Sequence, residues 1–173
     1  HNPRFISDTD FHLQGISPCV DGGTELDAPA MDYDGIARPQ GMESDIGMYE
    51  YPGYPELPRP SIRMPNRDPG PGDIVSCSVL FWNPDPEPIT GHHLVVMLEL
   101  FGVLYFAPGF GEYQDYALTF PPELTEIIIF PEFEWPYGAG SYWGATWYSA
   151  LLNPSRTDTV GHLDTLTFGW HLN

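Results

Sequence analysis

Between Tyr51 and Pro71 the chain places proline at positions 52, 55, 58, 60, 65, 69 and 71. Each proline fixes φ and removes a backbone donor, so no helix runs through this stretch and its backbone is held extended or turning. The spacing predicts a semi-rigid spacer over 51–71 that divides the chain into residues 1–50 and 72–173. Glycine and proline punctuate the rest of the 173 residues as well, with 18 and 20 copies, which argues against long helices. Hydrophobic content of 42%, with 14% aromatics, is ample for a packed core, so the chain reads as folded and all-β.

Past Gly72 the pattern is period-2 runs separated by turns: 73–82, 94–100, 103–106, 126–130, 141–151 and 163–170. Six or seven short strands at this spacing predict a β-sandwich. In the last run Leu166, Phe168, Trp170 and Leu172 share one face and Thr165, Thr167, Gly169 and His171 the other, as a strand with one buried face demands.

Charge excludes one class of partner. Twenty-four acidic residues against six arginines and no lysine give −18, which repels phosphate and makes nucleic acid an unlikely partner while concentrating cations. Five of the six arginines stand at or before Arg67. That asymmetry permits head-to-tail association of an arginine-bearing front with an acidic back, a heterologous contact that can propagate into a fibre. No run approaches the roughly 20 apolar residues that a bilayer crossing needs, so membrane insertion is not expected.

The first fifty residues carry Asn2-Pro3-Arg4-Phe5, Asp10-Phe11-His12-Leu13, Ser17-Pro18-Cys19-Val20-Asp21-Gly22-Gly23, Asp32-Tyr33-Asp34-Gly35 and Asp45-Ile46-Gly47-Met48-Tyr49-Glu50, in that order. This succession resembles the closing coils of right-handed parallel β-helix proteins of the pectin-lyase-like class. The resemblance implies a terminal β-helix coil segment that begins inside a motif, downstream of coils and of any secretory signal, and that must stack on something to cover Phe5, Phe11, Leu13 and Ile16. It also implies a buried thiol at Cys19. With only Cys19 and Cys77 present, a single bridge between the two segments is possible and a disulfide scaffold is not.

The later segment, with Pro71-Gly72-Asp73, Asn83-Pro84, the pair 94–106 and the aromatic run from Gly140 to Pro154, resembles an immunoglobulin-like β-sandwich module common in large secreted bacterial proteins. Its matching parts are turns and core aromatics, so what it implies is an accessory domain and no chemistry.

Candidate chemistry is sparse. Asp32-Tyr33-Asp34-Gly35, with Asp27, Glu43 and Asp45 near in sequence, alternates carboxylates before a glycine turn as calcium loops do. The competing reading is a turn in which Asp34 caps backbone donors and Arg38 pairs with Asp45. His1 would offer an amine and a ring to copper, with His12, His92, His93, His162 or His171 as a second ligand. His92 and His93 are adjacent, so on a strand they point to opposite faces. Glu132 and Glu134 would share one strand face, either as an acid and base pair or as a solvated surface. No GxSxG serine and no phosphate-cradling glycine loop is present, and the chain reads as non-enzymatic.

Trp135, Tyr137, Tyr142, Trp143, Trp147 and Tyr148 are rich enough in aromatic surface to stack sugars. Strict alternation puts Trp143 and Trp147 on one face and Tyr142 and Tyr148 on the other, so only one pair can be exposed. Two functions follow as expectations: a secreted or cell-surface structural module that assembles with its own copies or with upstream coils through strand addition or stacking, calcium included; and, alternatively, a polysaccharide-binding accessory region.

Overall fold

The computed structural model describes residues 2–23 and 27–172. They divide into two compact units, one within His1–Pro58 and one within Arg59–Asn173.

The C-terminal unit is all-β, with seven strands and no helix among the described residues: β1 (Arg59–Arg63), β2 (Ile74–Asn83), β3 (His93–Leu100), β4 (Val103–Phe106), β5 (Glu123–Glu134), β6 (Tyr142–Leu152) and β7 (Thr159–Trp170). They pair antiparallel throughout, in one sheet ordered β1-β2-β5 and a second ordered β4-β3-β6-β7. Period-2 patterning explains the arrangement. Val75, Cys77, Val79 and Phe81 of β2 are buried, as are Ala145, Trp147 and Leu151 of β6 and Leu166, Phe168 and Trp170 of β7. All of these except Val75 join Ile62, Leu94, Val96, Phe120, Ile127 and Ile129 in a single core fed by both sheets, as a β-sandwich requires. Leu172, placed by alternation on the buried side, is exposed because it lies past the end of β7.

The stretch expected to be a spacer is in large part structure. Arg59–Arg63 is strand β1, paired residue for residue with β2 from Trp82 to Ser78. Pro60 is tolerated because β1 is an edge strand, where a missing N–H need not interrupt a ladder. Farther on, the Arg67 carbonyl accepts the Gly169 N–H (3.0 Å) and the Pro69 carbonyl accepts the His171 N–H (3.3 Å). A proline-rich segment keeps all of its acceptors, and these dock it along the end of β7.

The turn chemistry is local. Phe101 and Gly102, both at positive φ (52° and 76°), close the β3–β4 hairpin in the two-residue mirror-image turn that matches strand twist. Asn83, fully buried, donates through Nδ2 to the carbonyls of Glu87 (3.0 Å) and Phe120 (3.1 Å) and accepts the Asp85 N–H, fixing the exit from β2.

The N-terminal unit overturns the expected β-helix end. Its described residues contain no named strand and only two isolated bridges, Phe5 with Leu13 and Met31 with Ala37, both antiparallel. A β-helix coil needs a continuous parallel ladder to its neighbour, and among the described residues every sheet and every isolated bridge is antiparallel. The backbone groups that such a ladder would pair are instead taken up by turns and by side-chain carboxylates. Polar groups dominate the interior accordingly. Ser17, Asp21, Glu43, Ser44, Asp45 and Glu50 are buried, against Leu13, Val20 and Met42 among the apolar side chains.

Candidate functional site

The carboxylates singled out as calcium ligands serve the backbone. Asp32 accepts the N–H groups of Asp34 (2.9 Å) and Ile36 (2.8 Å) through Oδ1 and that of Glu50 (2.9 Å) through Oδ2. Burial works to raise this carboxyl, and the three donors together with Arg38 outweigh it and hold it below the usual range. Asp45 is buried and accepts from Asp21 N (2.7 Å) and Tyr51 N (2.6 Å). Its burial, helped by the nearby charges of Glu50 and Asp21, prevails over those two hydrogen bonds and pushes the carboxyl up to about 7. Asp34 is turned to the surface, where Oδ2 meets His12 Nε2 at 2.9 Å, and Asp27 is an exposed turn residue at φ 59°. The four therefore do not converge, and among the described residues no three His, Cys, Asp or Glu side chains gather as a metal site.

The competing turn reading is corrected in its particulars. Asp32, not Asp34, is the capping residue, and Arg38 reaches past the Asp45 carboxylate. It pairs with Glu50 (Nη1 to Oε1, 2.9 Å) and donates to the Asp45 carbonyl (3.0 Å) and the Gly47 carbonyl (2.8 Å). Both partners are withdrawn from solvent, the Arg38 side chain 6% exposed and that of Glu50 not at all. The Glu50 carboxylate also accepts Asp45 N and Gln40 N. A buried ion pair whose two guanidinium Nη atoms and whose carboxylate are all hydrogen-bonded, with only Arg38 Nε left without a partner among the described residues, is the keystone of this unit, and one-dimensional spacing did not reveal it.

His12 has a carboxylate at each nitrogen, Asp10 at Nδ1 (2.6 Å) and Asp34 at Nε2 (2.9 Å), and stacks on Tyr49 with centroids 4.0 Å apart. A ring bonded to two carboxylates holds two protons. Its hydrogen bonds to Asp10 and then to Asp34 raise its pKa accordingly.

Beside this network the same unit leaves apolar surface uncovered. Phe5 and Phe11, packed edge to face at 5.3 Å, join Leu13, Ile46 and Met48 around an apolar groove of about 380 Å3. Phe11 is 50% exposed and Met48 51%. Leu13 is covered, as are Gly15 and Ser17 around it, and Phe5 and Phe11 are not.

In the C-terminal unit a bulge rearranges the aromatic faces. Gly144, at φ 107°, interrupts the β6–β7 register between Trp143 and Ala145. One extra residue inverts the alternation on the side preceding it. Tyr142 therefore joins Trp147 on the core side, 5.2 Å from Trp170 between ring centroids, while Trp143 faces outward with Tyr148. Trp147 is 1% exposed and has no face to offer a ligand, whereas Trp143 is 67% exposed.

The remaining described candidates are each engaged locally or solvated. Glu132 and Glu134 are solvated on β5. His92 turns to the Thr90 carbonyl, and His93 to Asp115 (3.0 Å), which also accepts from Arg156 (2.7 Å) and Tyr113 (3.0 Å). Burial opposes ionisation of Asp115, and its bonds to Arg156, His93 and Tyr113 prevail and lower its pKa. His162 is neutral, its pKa driven down to about 4 by burial and by the charge of Arg59. Cys19 and Cys77 are free thiols, and burial pushes Cys77 up to about 12, which leaves it inert. His1 lies outside the described residues. The five arginines at or before Arg67 do not make one exposed patch: Arg4 is exposed, but Arg38 and Arg59 are buried, and Arg63 and Arg67 are partly covered and engaged.

No family model matches the sequence, and no curated protein matches it either. Among solved structures the chain is similar to the CARDB domain of a Pyrococcus furiosus protein, crystallised in complex with di-metal ions, at 16% identity over 68% of this chain and 97% of that one, with a TM-score of 0.42. The solution structure of that domain aligns at 16% identity over 67% of this chain and 95% of that one, with a TM-score of 0.36. The assignment as an all-β chain of two antiparallel sheets rests on the strand pairing itself.

Proposed function

We propose that this chain is a non-enzymatic structural module, working outside the cell or at its surface, that associates with further copies of itself through the apolar groove of the N-terminal unit. The observation that carries the reading is the uncovered cluster of Phe5, Phe11, Ile46 and Met48 around a groove lined almost wholly by carbon. A small unit that keeps carboxylates inside and large apolar side chains outside has spent its apolar surface on something other than its own core. The extracellular placement rests on the sequence alone.

A second copy is the occupant this reading commits to, because the chain itself displays matching surface. The outer side of β5 carries Leu124 and Ile128, both exposed, on an edge strand. Edge strands are open to further pairing unless guarded. β5 is guarded by Pro131 and by Glu123, Glu126, Glu132 and Glu134, so contact with another molecule must contend with charge repulsion. With −18 on each copy, association strengthens as salt screens the repulsion, the reverse of a contact held by opposite charges.

Sedimentation of the full chain over a concentration series, at low and high salt, tests this. Concentration-dependent assembly that grows with salt and disappears in Phe11→Ser with Met48→Ser is expected. A wild-type chain that stays monomeric under both conditions refutes it, as does assembly that the double variant leaves intact.

A further inference from the structure

The groove does not involve Trp143, and the surroundings of that residue point elsewhere. The other four tryptophans belong to covered surroundings: Trp135, Trp147 and Trp170 run through the core aromatics, and Trp82 is largely buried on β2. Trp143 stands on the outer face of the β4-β3-β6-β7 sheet, and its ring has no aromatic or hydrogen-bonding partner among the described residues. It is held down nonetheless. Its cross-strand neighbour is Gly169, where an added Cβ would run into the six-membered ring of the indole. Glycine at this position lets the indole lie against the backbone of β7, so one side of the ring is packed and the other faces water.

Hydrogen-bonding groups flank that ring on the same face. Toward the middle of the sheet, Thr146 and Thr167 face each other with hydroxyls 3.1 Å apart, and Glu99 lies opposite Thr146 and accepts from Tyr148 at 2.8 Å. Toward the strand end, two residues from Gly169, His171 meets Asp68 at 3.0 Å. A flat apolar ring bordered by hydroxyls and carboxylates suits one class of ligand best. The C–H face of a pyranose packs on an indole while its ring hydroxyls need donors and acceptors at the edges. A protein partner would require an apolar centre fully desolvated around the anchor, and the cross-strand positions around Trp143 on this face are Gly169 and the Thr146–Thr167 pair, with the exposed Leu104 set off beyond Glu99. Charge narrows the class further, because an anionic polymer would approach a chain of −18 against its field.

We infer that the outer sheet face centred on Trp143 is a binding site for a neutral pyranose polysaccharide, with Thr146, Thr167, Glu99 and Tyr148 supplying hydrogen bonds. It is independent of self-association, since it lies within the C-terminal unit and uses none of the groove residues.

Titration calorimetry of the full chain tests the site, with cellohexaose, xylohexaose and N-acetylchitohexaose as neutral probes and oligogalacturonate as the anionic one. Saturable binding of at least one neutral probe is expected, weakened at least about tenfold by Trp143→Ala and a few-fold by Thr167→Val. Near-UV dichroism and thermal midpoint report whether Trp143→Ala keeps its fold. Should it not, the Thr167→Val and Glu99→Gln variants carry the test through surface hydroxyl and carboxylate alone. Binding unchanged in every variant overturns the placement, equal affinity for oligogalacturonate overturns the preference for neutral chains, and no binding of any neutral probe overturns the site.

Discussion

The two units of this chain solve the same problem with opposite materials. The C-terminal unit buries period-2 apolar faces, and its backbone is satisfied by strand ladders. Among its described residues the N-terminal unit has no strand ladder and few buried apolar side chains, and several of its backbone N–H groups end on Asp21, Asp32, Asp45 and Glu50, with Arg38 supplying the compensating charge. Carboxylates inside a fold are costly unless each oxygen is engaged, so the polar unit is held by a few mutually dependent contacts and the apolar one by many replaceable ones. Ionisable groups therefore carry the first unit, whereas in the second they accompany an apolar core.

The largest test of that contrast removes one keystone from each. Arg38→Met leaves Glu50 buried without its cation and is expected to cost about 3–5 kcal/mol, unfolding the N-terminal unit while the sandwich survives. Trp147→Ala empties the centre of the sandwich at a comparable cost of about 3–5 kcal/mol. All five tryptophans lie beyond Arg59, so tryptophan fluorescence follows the sandwich alone, and hydrogen exchange of residues 38–51 follows the other unit. Coincident loss of both signals in Arg38→Met would show that the units do not fold independently.

Acid should separate them next. The Asp45 carboxyl is raised from 3.8 to about 7, so the folded N-terminal unit binds a proton that the unfolded chain has lost across that interval. Stability from this group is present at low pH and is lost as pH rises through about 7. His12, also raised, acts in the same direction above 6.5. Acidifying from pH 8 to pH 5 should protect residues 38–51 against exchange by an amount on the order of 2–3 kcal/mol, and Asp45→Asn should abolish most of that gain. Protection that falls on acidification instead would mean Asp45 is ionised in the fold.

What was legible in the sequence follows the same division. Alternation located strands β2 to β7 to within a few residues and identified Leu166, Phe168 and Trp170 as core, because period-2 burial is written in consecutive residues. It failed at two places for physical reasons. Proline density hid β1, which is allowed as an edge strand, and the Gly144 bulge exchanged Tyr142 for Trp143 on the core side, since one inserted residue shifts a face without changing composition. In the N-terminal unit the ordered motifs suggested a parallel coil, yet the same aspartates cap turns. The partnerships that matter, Asp21 with Glu43 N and Glu50 with Arg38, join residues 12 to 22 apart with no periodicity to announce them.

A smaller effect of opposite sign belongs to the sandwich. His162 is depressed from 6.5 to about 4, so the folded unit resists a proton that the unfolded chain accepts, and stability falls as pH drops from 6.5 toward 4. Asp164, raised chiefly by burial, opposes this from the acid side, so the difference between wild type and His162→Gln isolates the histidine. Solvent reaches much of the ring environment, and a contribution of about 1 kcal/mol between pH 6.5 and pH 4 is expected, read from tryptophan fluorescence in urea. Identical pH profiles for the two proteins would remove His162 as an acid-sensitive group.

The smallest effect sharpens the contrast most, because it holds the chemistry constant and changes only the burial. Arg156 pairs with Asp115 at 2.7 Å, as close as Arg38 approaches Glu50, but its side chain is 46% exposed where that of Arg38 is 6%. Water already solvates the Arg156 guanidinium, and Asp115 keeps His93 and Tyr113 when the arginine is removed. Arg156→Ala should therefore cost the sandwich less than about 1 kcal/mol, several-fold less than Arg38→Met costs its own unit. Equal losses in the two variants would mean that both units depend on ion pairing, and the division into a carboxylate-held unit and an apolar one would fail at its most direct point of comparison.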